Sequence, residues 1–165
     1  MFDNIKSLSI VHLPEYAEVI RQSFITVARD YGLTKENFPS HWSFATNERL
    51  AEKIKDGYYP FGYFENGKIV GFVALTDLGE SIYEMGTLSV LPHKRHLGYG
   101  KALMDFCKQK VREFGGKKIV ISLADTHAVL KNWYTANGFV HTETKIFKHI
   151  PLPVGYMEWH NCIDT

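Results

Sequence analysis

The stretch Arg95-His96-Leu97-Gly98-Tyr99-Gly100-Lys101 joins an extended run, Ser81 to Leu91, to an amphipathic helix predicted from about Gly100 to Phe114. The helix expectation rests on Leu103, Phe106, Cys107, Val111 and Phe114, which fall on one face at spacings of three or four residues. Two glycines at a loop-to-helix junction let the backbone turn tightly and leave its amides bare. The first-turn N–H groups of a helix have no internal partner, and the helix dipole adds partial positive charge at the same end. Such a junction suits an anion, phosphate above all. Arg95 and Lys101 add formal positive charge beside it. The stretch reads as a pyrophosphate cradle.

A dinucleotide site of the Rossmann type fits poorly, because its third glycine would fall at Leu103 and the Leu91–Leu97 connection is too long for a tight strand-to-helix turn. A Walker phosphate loop is excluded, since no Gly-Lys-Ser/Thr follows. What the chain does carry is Arg-x-x-Gly-x-Gly after the strand end Leu88-Ser89-Val90, with Tyr134-Thr135-Ala136-Asn137-Gly138-Phe139 a strand and a helix later. Together these motifs resemble the cofactor signature of the GCN5-related N-acetyltransferase (GNAT) superfamily. The resemblance covers nearly the whole chain, and its specific motifs lie in the second half.

The remaining elements follow from local signals. Ile5 to Val11 is expected to be a strand. Pro14 opens a helix with Ile20, Phe24, Val27 and Tyr31 on its buried face, and Gly32 ends it. Leu33 to Phe44 reads as a structured loop. Thr46 then caps a short helix with Leu50 and Ile54 inward and Gly57 at its end. Asn66-Gly67 between Tyr58–Phe64 and Lys68–Leu75 is the clearest hairpin, since that dipeptide accepts the positive φ angles of a tight turn. Leu78-Gly79 is a second turn signal, and Gly115-Gly116 stops the central helix. Lys118 to Leu123 reads as a strand buried on both faces, Ala128 to Asn137 as a helix, and Val140–Phe147 and Tyr156–Asn161 as the last strands. The order is βααβββαβαββ, one mixed α/β domain spanning residues 1–165.

Composition narrows the class. A chain of 165 residues with 45% hydrophobic and 22% charged residues is sized for one sizeable core. A net charge of +1, without a basic block, argues against a nucleic-acid partner. No apolar run is long enough to span a membrane, and the first residues do not form a secretion signal. Cys107 and Cys162 do not read as a disulfide framework, which suggests a reducing, cytoplasmic setting. The histidines have no partners at metal-ligand spacing, so no metal is expected.

The resemblance implies a mostly antiparallel central sheet with helices on both faces. Two parallel strands, before the cofactor loop and after its helix, splay apart to admit acetyl-CoA, and Met85-Gly86 would fit a bulge that starts the splay. Main-chain groups of Leu88, Ser89 and Val90 would pair with pantetheine, and Arg95, His96, Leu97, Gly98, Tyr99, Gly100 and Lys101 would hold the pyrophosphate. Glu84 becomes the candidate general base for an amine, and Tyr134 the candidate acid for the leaving thiolate. Where the superfamily often has a cofactor-contacting asparagine, this chain has His127, which could bind the cofactor or serve as an alternative base. The acceptor, a small-molecule or peptide amine, would meet a partly aromatic surface of Tyr31, Phe38, His41, Trp42 and Tyr156. The implied activity is acetyl transfer to a primary amine. The alternatives are a non-catalytic acyl-CoA-binding or sensing module, or an acyltransferase with another donor or an oxygen acceptor. Final strands of such folds often pair, which leaves a homodimer open.

Overall fold

The computed structural model describes residues 2–162; residue 1 and residues 163–165, the extreme ends of the expected domain, lie outside the described residues. Its elements are β1 (Ile5–Ser7), α1 (Leu13–Tyr31), α2 (Asn47–Glu52), β2 (Tyr58–Glu65), β3 (Lys68–Gly79) and β4 (Ile82–Val90), then α3 (Tyr99–Glu113), β5 (Lys118–Ala124), α4 (Ala128–Ala136), β6 (Val140–Lys145) and β7 (Val154–His160). The expected order is found. The strands form one sheet in the order β1-β2-β3-β4-β5-β7-β6, and every neighbouring pair is antiparallel except β4 with β5.

Each sheet face carries its own core. On one side Leu103, Met104, Cys107 and Val111 of α3 pack with Val73, Leu75, Met85, Ile119 and Ile121, and Tyr134 and Phe139 extend that layer. On the other, Tyr16, Ala17 and Ile20 of α1 pack on Ile69, Phe72 and Ala74. Truncating a residue such as Leu103 to alanine would cost about 2–5 kcal/mol, lost transfer energy plus a cavity. α1 packs chiefly over β3 and β4. Among the described residues, no helix packs over that side of β5, β7 and β6.

Several local expectations are corrected. β1 ends at Ser7 because the next partner on β2 is Pro60, which has no N–H to continue a ladder; a 3-10 turn, Ile10–His12, follows. α2 stops at Glu52, ahead of Gly57, so Ile54 lies beyond the helix and is 37% exposed. On α3, Phe114 falls past the last turn and is exposed, whereas Met104 is buried. β5 alternates between buried and accessible residues, because only its α3 face is covered. β6 ends at Lys145 and β7 starts at Val154.

Candidate active site

β4 and β5 pair only over Ile82–Glu84 and Lys118–Val120, and past that point both strands continue without pairing each other. The irregularity that accompanies the splay sits at Thr87, one residue later than expected. Opposite the step from Phe72 to Ala74 on β3, β4 runs from Ser89 to Gly86, one residue more, and Thr87 has φ +52°. A β-branched residue in that region is strained, and the strain is held by the ladders on either side. The extra residue bends β4 away from β5.

The gap opens into a cavity of about 1240 Å³. Leu88 and Val90 line it, whereas Ser89 turns away: it pairs with Phe72, is buried, and donates its hydroxyl to the Thr87 carbonyl at 2.8 Å. At the far end, Gly98 takes a left-handed conformation, φ +86°, as the N-cap of α3, with no side chain capping the helix and no acidic residue in its first turn. The α3 amides therefore stand open beside the cavity, which Gly98, Tyr99, Gly100 and Lys101 all line. A Cβ at Gly100 would meet nothing closer than Val90 Cγ2 at 3.7 Å and Trp133 at 3.9 Å, ordinary contact distances. The fold itself does not demand glycine there. A bare backbone facing the cavity suits close approach by a phosphate.

The cations of this loop are already engaged. Lys94 pairs with Glu65, which also accepts from the Tyr99 hydroxyl, and both contacts hold the Glu65 carboxyl below its usual range. Tyr99 in turn stacks on Tyr63 at 4.2 Å. Lys101 pairs with Asp105 at 2.6 Å. The Arg95 guanidinium is directed at α1, where it donates to the Ser23 carbonyl at 2.9 Å, the Ser23 hydroxyl at 3.2 Å and the Thr26 hydroxyl at 3.1 Å. His96 lines the cavity with φ +64°, and Leu97, 58% exposed, does not line it.

Glu84 lies where the parallel pairing ends. It is opposite Thr76 on β3, which is opposite Tyr58 on β2, and all three line the cavity as one row across the sheet. Glu84 is exposed to the open face. Tyr134, 7% exposed, reaches the same cavity from α4, its ring set edge-on to Phe139 at 5.3 Å and Trp133 at 5.0 Å. Burial pushes its phenol well above the usual tyrosine range, so it enters any reaction protonated. His127 lines the cavity and also accepts from the Leu130 amide at 3.3 Å through Nδ1, as the N-cap of α4. That capping bond supplies an acceptor for an otherwise orphaned amide, a job asparagine also does well.

Of the expected acceptor residues, Phe38, His41, Trp42 and Tyr156 line the cavity. Tyr31 does not; its ring lies 5.8 Å from that of His127, linking the end of α1 to the start of α4. His41 sits among Phe24, Phe38 and Phe44, and burial, aided by Arg49, lowers its pKa. Sequence reasoning missed Ser23 and Thr26, Glu65, Thr76, and Phe147 and His149 on the β6–β7 connection. No local sequence pattern pointed to any of them. A second concavity, about 530 Å³ at the paired end of β4 and β5, holds none of the candidate residues. Among the described residues, no cluster of histidine, cysteine or carboxylate is arranged to hold a metal.

A model of the acetyltransferase (GNAT) family matches residues 26–139. No curated protein matches the chain. Among solved structures, the chain is similar to the ribosomal-protein-S18-alanine N-acetyltransferase from Escherichia coli, at 16% identity and a TM-score of 0.77, over 98% of this chain and 95% of that one. It is similar to the PaiA N-acetyltransferase from Thermoplasma acidophilum in complex with coenzyme A, at 21% identity and 0.73, over 95% and 98%. A third, the IAA acetyltransferase from Bacillus cereus, aligns at 12% identity and 0.68, again over 95% and 98%.

Proposed function

This chain belongs to the GNAT acetyltransferase family, and from that membership we infer that it moves an acetyl group from acetyl-CoA to a primary amine by direct attack. The observation that carries the reading is the run of open α3 amides at the end of a splayed parallel pair, with a glycine at position 100 that the fold does not require. The residues fit the cosubstrate. The amides of Tyr99, Gly100 and Lys101 would hold its pyrophosphate, and main-chain groups at Leu88 and the Val90 carbonyl would pair with its pantetheine, the Val90 amide being directed at Ser23. The acyl group would then lie near the point where β4 leaves β5, between Glu84 and Tyr134.

There the amine nitrogen attacks the thioester carbonyl. The N–C bond forms as the C–S bond breaks. Glu84, directly or through water, takes the proton that nitrogen sheds, and the Tyr134 phenol donates one to the departing thiolate. A backbone amide polarising the thioester carbonyl would contribute about 3–4 kcal/mol to the transition state. His127 is the second candidate base, and its capping bond leaves Nε2 for that role or for a cofactor contact.

The acceptor half is the unroofed part of the sheet face with Phe38, Trp42 and Tyr156 around it. That surface suits a small-molecule or peptide amine with apolar character. Both cysteines are free, Cys107 buried and Cys162 exposed, which supports a reducing, cytoplasmic setting. No helix among the described residues is long and apolar enough to cross a membrane.

The first test is a thermal-shift titration with acetyl-CoA, CoA, ATP and NAD. A ligand at a hundredfold excess over its dissociation constant adds about 2.7 kcal/mol of apparent stability. A shift with both CoA species alone supports the cradle, and an amine screen for free-thiol release then separates an enzyme from a sensing module. Acetyl-CoA without effect on folded protein would end the reading.

A further inference from the structure

The three bonds from Arg95 to α1 place its side chain in an unexpected role. Its Nη1 donates to Thr26 Oγ1 at 3.1 Å and its Nη2 to the Ser23 carbonyl and hydroxyl at 2.9 and 3.2 Å. The same Ser23 carbonyl accepts the Thr26 hydroxyl at 2.8 Å, and Ser23 itself is buried. The Ser23 hydroxyl also faces β4, where the Val90 amide points at it from 3.4 Å. One serine in the middle of α1 thus touches both the strand end and the arginine of the phosphate loop. On the same stretch of α1, Phe24, Val27 and Asp30 line the cavity, as do Ser23, Thr26 and Arg95 themselves.

We propose that Arg95 is a positioning residue, a strut that ties the phosphate loop to α1 through Ser23 and Thr26, so that seating the cosubstrate also sets the α1 side of the cavity. For the guanidinium to turn toward a phosphate it would have to abandon two charge-assisted bonds to hydroxyls and one to a carbonyl, in a half-buried place where leaving them unmade is expensive. The loop has no need of that movement, because its amides are open. The proposal rests on the acetyl-CoA reading for what fills the loop, and on the α1 contacts alone for the strut.

Arg95→Ala, Arg95→Lys and the double variant Ser23→Ala/Thr26→Val test it, with CoA as the probe. Three quantities are measured: cofactor-free Tm, CoA affinity by calorimetry, and amide exchange across residues 23–31 with and without CoA. Arg95→Ala is expected to lower the cofactor-free Tm by about 3–8 °C and to weaken CoA less than threefold. In the native protein CoA is expected to slow exchange across residues 23–31, and that slowing should be lost in Arg95→Ala and in the double variant. Arg95→Lys, with one donor head, falls between and restores part of it. An unchanged cofactor-free Tm with CoA weakened tenfold or more in Arg95→Ala, and a silent double variant, would make Arg95 a phosphate ligand and overturn the strut. If Arg95→Ala does not fold, the double variant decides alone. If the native protein binds no CoA, the acetyl-CoA reading falls and takes the coupling with it; the cofactor-free Tm values still report whether the α1 contacts carry load.

Discussion

Tyr16 is 1% exposed, stacked on Phe72 at 4.8 Å, and its hydroxyl is the one fully buried side-chain polar atom without a partner among the described residues. A buried hydroxyl with no hydrogen bond costs about 1–3 kcal/mol of desolvation. Tyr16→Phe keeps the stack and removes that cost, so it is expected to raise stability by about 1 kcal/mol in urea unfolding. The two glycines of the cradle differ in kind. Gly98 sits at φ +86°, so Gly98→Ala should cost about 1 kcal/mol or more of stability. Gly100 has room for a methyl, so Gly100→Ala should leave unfolding nearly unchanged, and any loss should show in CoA affinity. Tyr134→Phe keeps the ring packed against Phe139 and Trp133 and should lower kcat by about 10²–10⁴, with cofactor binding retained. A variant with full kcat would remove Tyr134 from the chemistry.

At the scale of elements, what could be read beforehand was what local chemistry decides. Asn66-Gly67 turns the β2–β3 hairpin with φ of +52° and +77°, and the Leu103–Cys107–Val111 stripe buries α3. The open amides of α3 follow from its glycine cap. The position of the bulge did not follow, because glycine at 86 advertised freedom that the strand leaves unused while Thr87 takes the strain, held by β3. The direction of Arg95 was equally hidden, since its partners lie about seventy residues earlier in the chain. The bare flank of β5 depends on where α1 happens to lie. Thr87→Asn, a residue that tolerates positive φ, is expected to stabilise the protein by about 1 kcal/mol. His127→Ala should cost about 1 kcal/mol as a lost cap, and His127→Asn should restore it. Comparing the two variants separates capping from catalysis, because only a catalytic histidine loses rate in both.

Across the whole molecule, raised tyrosine phenols, with the buried Cys107 thiol that burial also pushes up, weaken the fold at alkaline pH. Burial raises the pKa of Tyr16, Tyr58 and Tyr134, and the contact with Glu65 raises Tyr99 to about 12. Above an ordinary tyrosine value of about 10 the unfolded chain releases protons that the folded one keeps. Unfolding free energy therefore drops as pH climbs past that value, and below it these groups make no difference. A Tm profile from pH 7 to 11 should be flat with respect to tyrosine up to about pH 9.5 and fall beyond it. Tyr58→Phe should make the fall shallower; an equally steep fall would place the titration elsewhere.

The missing roof over β5, β7 and β6 separates two kinds of residue that are interleaved in many enzymes. Side chains on that bare flank, Ser122 and Tyr156 among them, support little of either core, so exchanging them leaves stability near its starting point. The groups proposed to hold the acetyl donor are chiefly main-chain groups set by strand, bulge and helix cap, where Thr87 and Gly98 shape the backbone itself. Such a molecule can acquire a new acceptor by small surface steps without ever passing through an unfolded ancestor.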